Sequence, residues 1–443
     1  MPRTNPPNSL QLAYVADDFT GATDALESLT LAGLRSVLFL APPTAADLEL
    51  FPGSEAVGVA ALARSLEPDS MKAQLRPAFG ALRALRPRHV HYKVCSTFDS
   101  SPEVGSIGAA IEVGIDVFRS RFVPVVVGAP ALGRFCVFGN LFARFGIGTT
   151  GAIHRLDRHP SISRHPVTPM GEADLLRHLA KQTSRRSGLI DVLALDGEES
   201  VSRGQLEALV AAGTEIVLFD VLVSAHLARI GALLDPLGTS DQPLFSVGSS
   251  AVGSALASRW HGSGTSEADH ARRTPPVPAR PLLVASGSCS PVTARQITFA
   301  LAHGFAGIRL APDGSNEIPA ASAALAALRS GRSTVVYTAL EAADQTVAAA
   351  PASLVGGALG RIARAAVESD AVHRVLLAGG DSSSFAARAL GIQAVEMIAP
   401  LAPGAPLCRA HAPGSAVHGI EVNVKGGQVG AEDYFLAVAA GSV

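Results

Sequence analysis

The 443-residue chain has few cysteines, little net charge and no long apolar run, and each shortage excludes a class of protein. Its four cysteines are widely scattered and form no CxxC pair, which argues against a structural zinc site and a disulfide scaffold. With 36 basic and 38 acidic residues and no basic block, the chain lacks the charge of a nucleic-acid-binding protein. No uninterrupted apolar run reaches the roughly 18 residues of a membrane span, and residues 1–11 lack the apolar core of a secretory signal. We therefore expect a cytoplasmic protein without nucleic-acid or membrane partners.

Short apolar runs that alternate with helix-like stretches are the main feature that is present. Hydrophobic residues make up 48% of the chain, which is enough to build a large core. Runs typical of buried strands lie at 10–16, 37–41, 56–62, 89–94, 122–127, 189–195 and 215–221. Helical spacing lies at 22–32, 71–85, 203–212 and 222–234. This alternation predicts an α/β fold with mainly parallel sheets flanked by helices.

The composition changes between residues 261 and 280, where a polar segment rich in Gly, Ser and Pro shows no periodicity. Such a segment is typical of a linker. The alternation resumes after it, and the segment from 395 to 430 is richer in short strands and turns. We therefore predict an N-terminal domain at 1–260, a linker at 261–280 and a C-terminal domain at 281–443. A cleft between two domains is a common place for a small-ligand site.

Two polar stretches follow predicted strands of the N-terminal domain, at the strand ends where parallel sheets bind ligands. The first contains Asp17 and Asp18, which can bind sugar hydroxyls, hold a metal or accept a proton; in the alternative, Asp18 or Thr20 only caps the next helix. The second, residues 91–101, places Lys93 among hydroxyls, and a lysine inside an apolar strand needs a partner. The helix that opens at 105–108 offers backbone amides to an anion.

Two further stretches resemble cofactor or metal motifs only in part. Residues 154–170 contain three histidines among arginines and prolines, a spacing that favours an anion-binding loop over a metal site. Residues 146–151 read GIGTTG, which fits the dinucleotide pattern by letter but lacks its strand and helix context.

Glycine- and serine-rich turns recur in the C-terminal domain. They read SGSCSPVT at 286–293, AGGDSSS at 378–384 and KGGQVG at 425–430, and Gly404 lies in a further turn. Free backbone amides and hydroxyls at helix starts suit phosphate groups. Since no GxxxxGK[ST] motif occurs, we predict a nucleotide site that is not of the Walker type.

Six of these motifs, in this order, resemble the four-carbon acid sugar kinase family. Residues 17–22 (DDFTGA), 92–100 (YKVCSTFDS) and 165–170 (HPVTPM) match its N-terminal signatures, and the second is similar to the form in 3-oxo-tetronate kinases. The three C-terminal turns match its remaining elements. Gln428 and Val429 replace a usual Asn-Phe pair, Ser382 replaces a threonine, and residues 146–164 are longer than in short members.

The resemblance implies an acid-sugar-binding N-terminal domain, an ATP-binding C-terminal domain and phosphorylation of a terminal hydroxyl on 3-oxo-tetronate, threonate or erythronate. Mg²⁺ would bridge the phosphates. The residues expected to act are Asp17 and Asp18 on the acceptor hydroxyl, Lys93, Ser96, Thr97, Asp99, Arg164 and His165 on the substrate, and Ser286, Ser288, Gly379, Gly380, Asp381, Ser382, Gly404 and Gly427 on the nucleotide.

Two other functions stay open on the sequence alone. One is NAD-dependent oxidation of the same acids, which rests on residues 146–151. The other is a sugar-acid sensor that keeps the fold without catalysis. The stereochemistry of the substrate, the choice between Asp17 and Asp18 as base, and the oligomeric state, a homodimer included, are not fixed by the sequence.

Overall fold

Apolar segments of four or five residues form most of the strands, and helices return the chain between them. The computed structural model describes residues 10–145, 151–164, 168–260, 276–340 and 350–442. The chain divides into two units. The first holds the described residues up to Asp17 together with Ser28–Ser36 and Pro42–Ser266, and the second holds Asp18–Glu27, Val37–Ala41 and the residues from Glu267.

The strands of the described residues are β1 (Leu12–Ala16), β2 (Ser36–Phe39), β3 (Ala56–Ala60), β4 (His89–Lys93), β5 (Val123–Val126), β6 (Arg134–Val137), β7 (Asn140–Arg144), β8 (Ile153–Arg155), β9 (Ser187–Ile190), β10 (Ile216–Phe219), β11 (Leu244–Gly248), β12 (Leu282–Ser286), β13 (Ala306–Arg309), β14 (Thr334–Tyr337), β15 (Arg374–Ala378), β16 (Ala394–Ala402), β17 (Ala405–His411) and β18 (Glu421–Lys425). The helices are α1 (Phe19–Leu31), α2 (Ala45–Glu49), α3 (Pro68–Ala84), α4 (Ile107–Phe118), α5 (Leu175–Leu179), α6 (Val192–Asp196), α7 (Glu199–Ala211), α8 (Ser224–Leu234), α9 (Ala251–Trp260), α10 (Pro291–Ala302), α11 (Glu317–Arg329), α12 (Ala352–Glu368), α13 (Asp381–Leu390) and α14 (Tyr434–Ala440).

The main sheet of the first unit has the strand order β3-β1-β4-β11-β5-β10-β9, and its strands pair in parallel. Ala16 stands opposite Lys93, and Lys93 stands opposite Gly248. The polar residues that follow β1 and β4 therefore leave the sheet at the same edge. This register confirms the predicted parallel α/β fold.

A small antiparallel sheet, β6-β7-β8, was not predicted from the sequence. Its first turn is made by Phe138 and Gly139, both at positive φ. The buried carboxylate of Asp220 holds this turn by accepting hydrogen bonds from both backbone amides, at 2.5 and 3.0 Å. A tight hairpin therefore rests on a side chain about 80 residues further along the chain.

The predicted strand at 189–195 is wrong in its second half. β9 ends at Ile190, and Asp191 then caps α6 by accepting a hydrogen bond from the amide of Ala194 at 2.9 Å. An apolar run of this length does not distinguish a buried strand from a buried helix, and the capping carboxylate decides between them here.

The sheet of the second unit has the order β13-β14-β12-β15-β18-β17-β16-β2. β12 to β15 and β18 pair in parallel. β16 and β17 form an antiparallel pair whose register is irregular, β17 pairs antiparallel with β18, and β16 pairs antiparallel with β2. The predicted strand-rich end of the chain is thus confirmed. The fully buried Arg374 ties β15 to its surroundings by hydrogen bonds of 2.7 Å to Glu421 and to the carbonyls of Val438 and Val277.

The predicted linker is described only from residue 276 onward, and the predicted domain limits stay predictions. Among the described helices, none has the length and hydropathy needed to cross a bilayer.

Candidate active site

The edge of the first unit where β1 and β4 end carries a buried acid, a buried lysine and an arginine. The amide of Asp17 donates to the carbonyl of Lys93 at 3.0 Å, so the two residues are neighbours across the strand ends. The Asp17 carboxylate is 3.5 Å from Nε of Arg64, and the Lys93 ammonium donates to the carbonyl of Val94 at 3.2 Å. Asp17 is 4% exposed and Lys93 2%. A buried lysine and an arginine at these strand ends make this edge suited to an added anion.

Asp18 caps α1. Its Oδ1 accepts a hydrogen bond from the amide of Gly21 at 2.5 Å, which is one of the two roles that the sequence left open. The hydroxyl of Thr20, which follows it, is buried and has no hydrogen-bond partner among the described residues. The methyl group of Thr20 lies 3.2 Å from where a Cβ on Gly426 would stand. The capped turn therefore lies beside the glycine-rich loop after β18.

Two side chains from later in the chain, His178 and Gln182, fix the loop after β4. The hydroxyl of Ser100 bonds to Nε2 of His178 at 2.9 Å and accepts a hydrogen bond from the side-chain amide of Gln182 at 2.9 Å. Burial lowers the pKa of His178 to about 4, so the ring is neutral near pH 7. Depending on the tautomer, Nε2 accepts a hydrogen bond from the Ser100 hydroxyl or donates one to it. Sequence reasoning missed His178 and Gln182, since neither belongs to a motif.

The hydroxyls and thiol of this loop face different surroundings. The Sγ of Cys95 lies 2.8 Å from Oγ1 of Thr97, and burial raises the pKa of Cys95 to about 11. A thiol with so high a pKa is not a nucleophile near pH 7. Ser96 and Asp99 are partly exposed. The side chain of Arg134 interacts electrostatically with Asp99. Arg134 is therefore a third cation in this region, after Lys93 and Arg64.

The prediction that the start of α4 binds an anion is wrong for the amides of Gly108 and Ala109, because both already have partners. The side chain of Gln182 accepts from the amide of Gly108 at 3.1 Å, and Ser106 accepts from the amide of Ala109 at 3.2 Å. Protein side chains thus already satisfy these donors.

The histidine-rich stretch is described in part. Arg155 and Asp157 form a two-point ion pair at 2.8 and 2.6 Å. Arg164 ends a short 3₁₀ helix, Ile162–Arg164, and its side chain and His165 lie outside the described residues. Within the described part of the chain, no three His, Cys, Asp or Glu side chains are placed to hold a metal ion.

Three loops of the second unit meet at the ends of the adjacent parallel strands β12, β15 and β18. The amide of Gly287 donates to Ala378 and that of Gly379 donates to Lys425, each at 3.0 Å. A Cβ on Gly379, whose φ is +149°, would stand 2.2 Å from the hydroxyl of Ser382, so this approach needs glycine. The structure brings together most of the residues predicted for the nucleotide, namely Ser286, Ser288, Gly379, Gly380, Asp381, Ser382 and Gly427.

Gly404 differs from the rest of that set. It lies at φ +79° in the turn between β16 and β17 and contacts α1. Thr23 donates to its carbonyl at 3.1 Å, and its amide donates to the carboxylate of Glu27. Burial raises the pKa of Glu27 to about 7.

Buried polar side chains fix the glycine-rich loop after β18. The ammonium of Lys425 donates to Oγ1 of Thr293 at 3.0 Å, and Thr293 donates to the carbonyl of Gly427 at 2.9 Å. The amide of Gln296 donates to three further loop carbonyls at 2.9 to 3.0 Å. Burial lowers the pKa of Lys425 to about 7. Thr293 ends the SGSCSPVT motif, but its role in holding the loop, like that of Gln296, could not be predicted because their partners lie more than 130 residues away.

The loops of the second unit have the features that phosphate binding requires. The hydroxyls of Ser286 and Thr338 are buried without a hydrogen-bond partner among the described residues. The N-cap of α13, Gly380, supplies no side-chain cap, so the helix presents backbone amides. Unpaired hydroxyls, glycine loops and a helix N-terminus form the chemistry that anionic phosphates require.

Comparison with known proteins agrees with this division of roles. A family model described as a sugar-binding N-terminal domain matches residues 12–256, and one described as a nucleotide-binding C-terminal domain matches residues 283–435. These family models and the curated relatives described below show that the chain is a carbohydrate kinase. The chain belongs to the four-carbon acid sugar kinase family.

Curated relatives carry the same class of name. The chain is 42% identical to a 3-oxo-isoapionate kinase of Paraburkholderia graminis, over 98% of this chain and 95% of the relative. It is 33% identical to a 3-oxo-tetronate kinase of Methylobacterium radiotolerans, over 96% and 98%. Two crystal structures share the fold: a Salmonella typhimurium LT2 protein (TM-score 0.76, 24% identity, 97% and 98% covered) and a Haemophilus influenzae protein (TM-score 0.72, 22% identity, 96% and 98% covered).

Proposed function

We propose that this kinase transfers the γ-phosphoryl group of ATP to a terminal hydroxyl of a 3-oxo sugar acid. The observation that carries the proposal is the pairing, within one chain, of a cationic edge around a buried acid with a glycine cradle fit for phosphates. The names of the relatives support a substrate of the 3-oxo-isoapionate or 3-oxo-tetronate type. Threonate and erythronate, which carry a hydroxyl in place of the 3-oxo group, are the other candidate substrates.

The acid group of the substrate binds the cations at the end of β1 and β4. Lys93 and Arg64 supply charge. Arg64 is held against Asp17 and Lys93 is buried, so little side-chain freedom is lost on binding. Ser96, Thr97 and Asp99 bind hydroxyls from the adjoining loop. His165 joins the set by its match to the family motif, and Arg164 is the residue before it. Asp17 or Asp18 orients the attacking hydroxyl and takes its proton.

The nucleotide occupies the cradle of the second unit. The amides of Gly379, Gly380 and Gly427 and the hydroxyls of Ser286 and Ser382 hold its phosphates. Asp381 and neighbouring hydroxyls are oxygen donors of the kind that Mg²⁺ prefers, and the metal, when bound, neutralises charge on the transferred group. The protein's contribution is to position donor and acceptor, since phosphoryl transfer needs little covalent help.

ATP consumption by purified protein tests the proposal. The panel contains 3-oxo-isoapionate, the 3-oxo-tetronates, and both enantiomers of threonate and erythronate, each with and without Mg²⁺. We expect turnover with one 3-oxo acid and none without Mg²⁺. ATP binding without turnover would refute the substrate class, and absence of ATP binding would refute the kinase mechanism for this chain.

The predicted NAD-dependent alternative rests on residues 146–151, of which only Gly151 is described. A titration with NADH, followed by fluorescence, distinguishes it: saturable NADH binding together with no response to ATP would favour oxidation. A sensor would show a ligand-induced thermal shift without transfer of phosphate.

A further inference from the structure

A cavity lies in the first unit, at the opposite edge of the main sheet from Asp17 and Lys93. Its volume is about 660 Å³, within the range of small-molecule sites. Phe122, which precedes β5, and Leu244, the first residue of β11, line it, so it opens where these strands begin. The five residues of β11 place it roughly 16 Å from the carboxyl ends of the strands.

The inner wall of this cavity is apolar. Phe118, Phe122, Leu206, Leu233 and Leu244 line it, and each is less than 9% exposed. Such a wall gives no hydrogen bonds to the hydroxyls of a sugar acid, whereas it favours burial of a hydrocarbon or aromatic body.

The rim of the cavity carries an excess of positive charge. Arg83, Arg119, Arg121 and Arg203 line it against the two acids Glu207 and Asp241. Arg203 pairs with Glu199, Asp241 pairs with Arg86, and the guanidinium of Arg83 donates to the carbonyl of Val117.

Three consecutive residues of this rim lack polar partners. The guanidinium groups of Arg119 and Arg121 make no hydrogen bond or ion pair within the described part of the chain. Between them, the hydroxyl of Ser120 is buried and has no hydrogen-bond partner among those residues. A buried hydroxyl without a partner is costly. The Ser120 hydroxyl lies in the chain between Arg119 and Arg121, whose guanidinium groups form no ion pair among the described residues.

We propose that this cavity binds one small organic anion, with an apolar body against the inner wall and its charged head between Arg119 and Arg121. The same chemistry fits a carboxylate or a phosphate monoester. The site is separate from the proposed kinase site, because its residues come from the other edge of the sheet.

The test uses 8-anilinonaphthalene-1-sulfonate, a fluorescent anion with an aromatic body, as the probe on the full chain. We expect saturable binding of one probe per chain that weakens as salt is added. Titration of the bound probe with 1-naphthoate and with 1-naphthyl phosphate decides the head group, since the two share their apolar body. ATP and sugar acids should not displace it.

The double variant Arg119→Gln/Arg121→Gln should weaken probe binding by at least about tenfold, because it removes both charge-assisted contacts. Arg329→Gln/Arg332→Gln is the matched control, as it removes two exposed arginines of the second unit. A second variant, Leu206→Trp, places a larger side chain in the cavity and should abolish probe binding. If the arginine variant does not fold, this variant alone decides the test. Equal affinity in the cavity variants and the control, or displacement of the probe by ATP, would overturn the proposal.

Discussion

Replacing Asp18 by Asn separates the helix-capping role of this residue from its proposed chemical role. The Oδ1 of Asp18 accepts a hydrogen bond from the amide of Gly21 at 2.5 Å. Asn is as good an N-cap as Asp, so the free energy of unfolding should change by less than about 1 kcal/mol. If the carboxylate takes the proton of the substrate hydroxyl, kcat should fall at least about a hundredfold, or about 2.7 kcal/mol of transition-state stabilisation.

The assay is steady-state ATP turnover with the best substrate of the panel, together with a denaturant unfolding curve. Asp191→Asn is a matched control, because Asp191 caps α6 through a 2.9 Å bond to the amide of Ala194 and follows β9, which lies five strands from β1 in the main sheet. It should change neither kcat nor KM. Near-normal kcat in folded Asp18→Asn would refute the assignment and move the proton to Asp17, whose Asn variant would then show the loss.

Three further changes test contacts that the fold supplies. Lys425→Met removes the hydrogen bond that fixes Thr293 and, through it, the glycine-rich loop, so the Kd for ATP should rise about tenfold by calorimetry while the fold persists. Glu27, with a pKa raised to about 7, binds more protons when folded than when unfolded between pH 5 and 7, so the free energy of unfolding should fall by roughly 3 kcal/mol as pH rises through that range, and Glu27→Gln should lack the slope in urea titrations. Arg374→Met leaves Glu421 and two buried carbonyls without their donor and should cost roughly 3 to 5 kcal/mol in urea unfolding; a loss below 1 kcal/mol would contradict that account.

The sequence predicted the fold class where local pattern determines structure. Buried parallel strands are continuous apolar runs, so β1, β3, β5 and β10 are recognisable without knowledge of their partners. The run at 189–195 shows the limit, because a single carboxylate at Asp191 converts its second half into a helix. The β6-β7-β8 sheet depends on Asp220, whose contact with the Phe138 turn spans about 80 residues and leaves no local signal.

The same distinction applies to the candidate site. Asp17, Lys93 and the glycine turns stand at strand ends and are visible as motifs. Arg64 and His178 are not, because each meets its partner only after the chain has returned to the same edge of the sheet. Residues that support a site from behind carry no pattern of their own, and only the packed structure identifies them.

The second unit contains two segments from the N-terminal part of the chain, which affects the design of a fragment of this unit. A fragment that begins at the predicted linker would omit Val37–Ala41, so β16 would lose Leu38 and Phe39 as strand partners and present an open edge. It would also omit Thr23 and Glu27, which hold the turn at Gly404. Open edges of this kind pair with other chains. A soluble nucleotide-binding fragment therefore needs the segment from residue 18 to residue 41 grafted back, for instance by circular permutation.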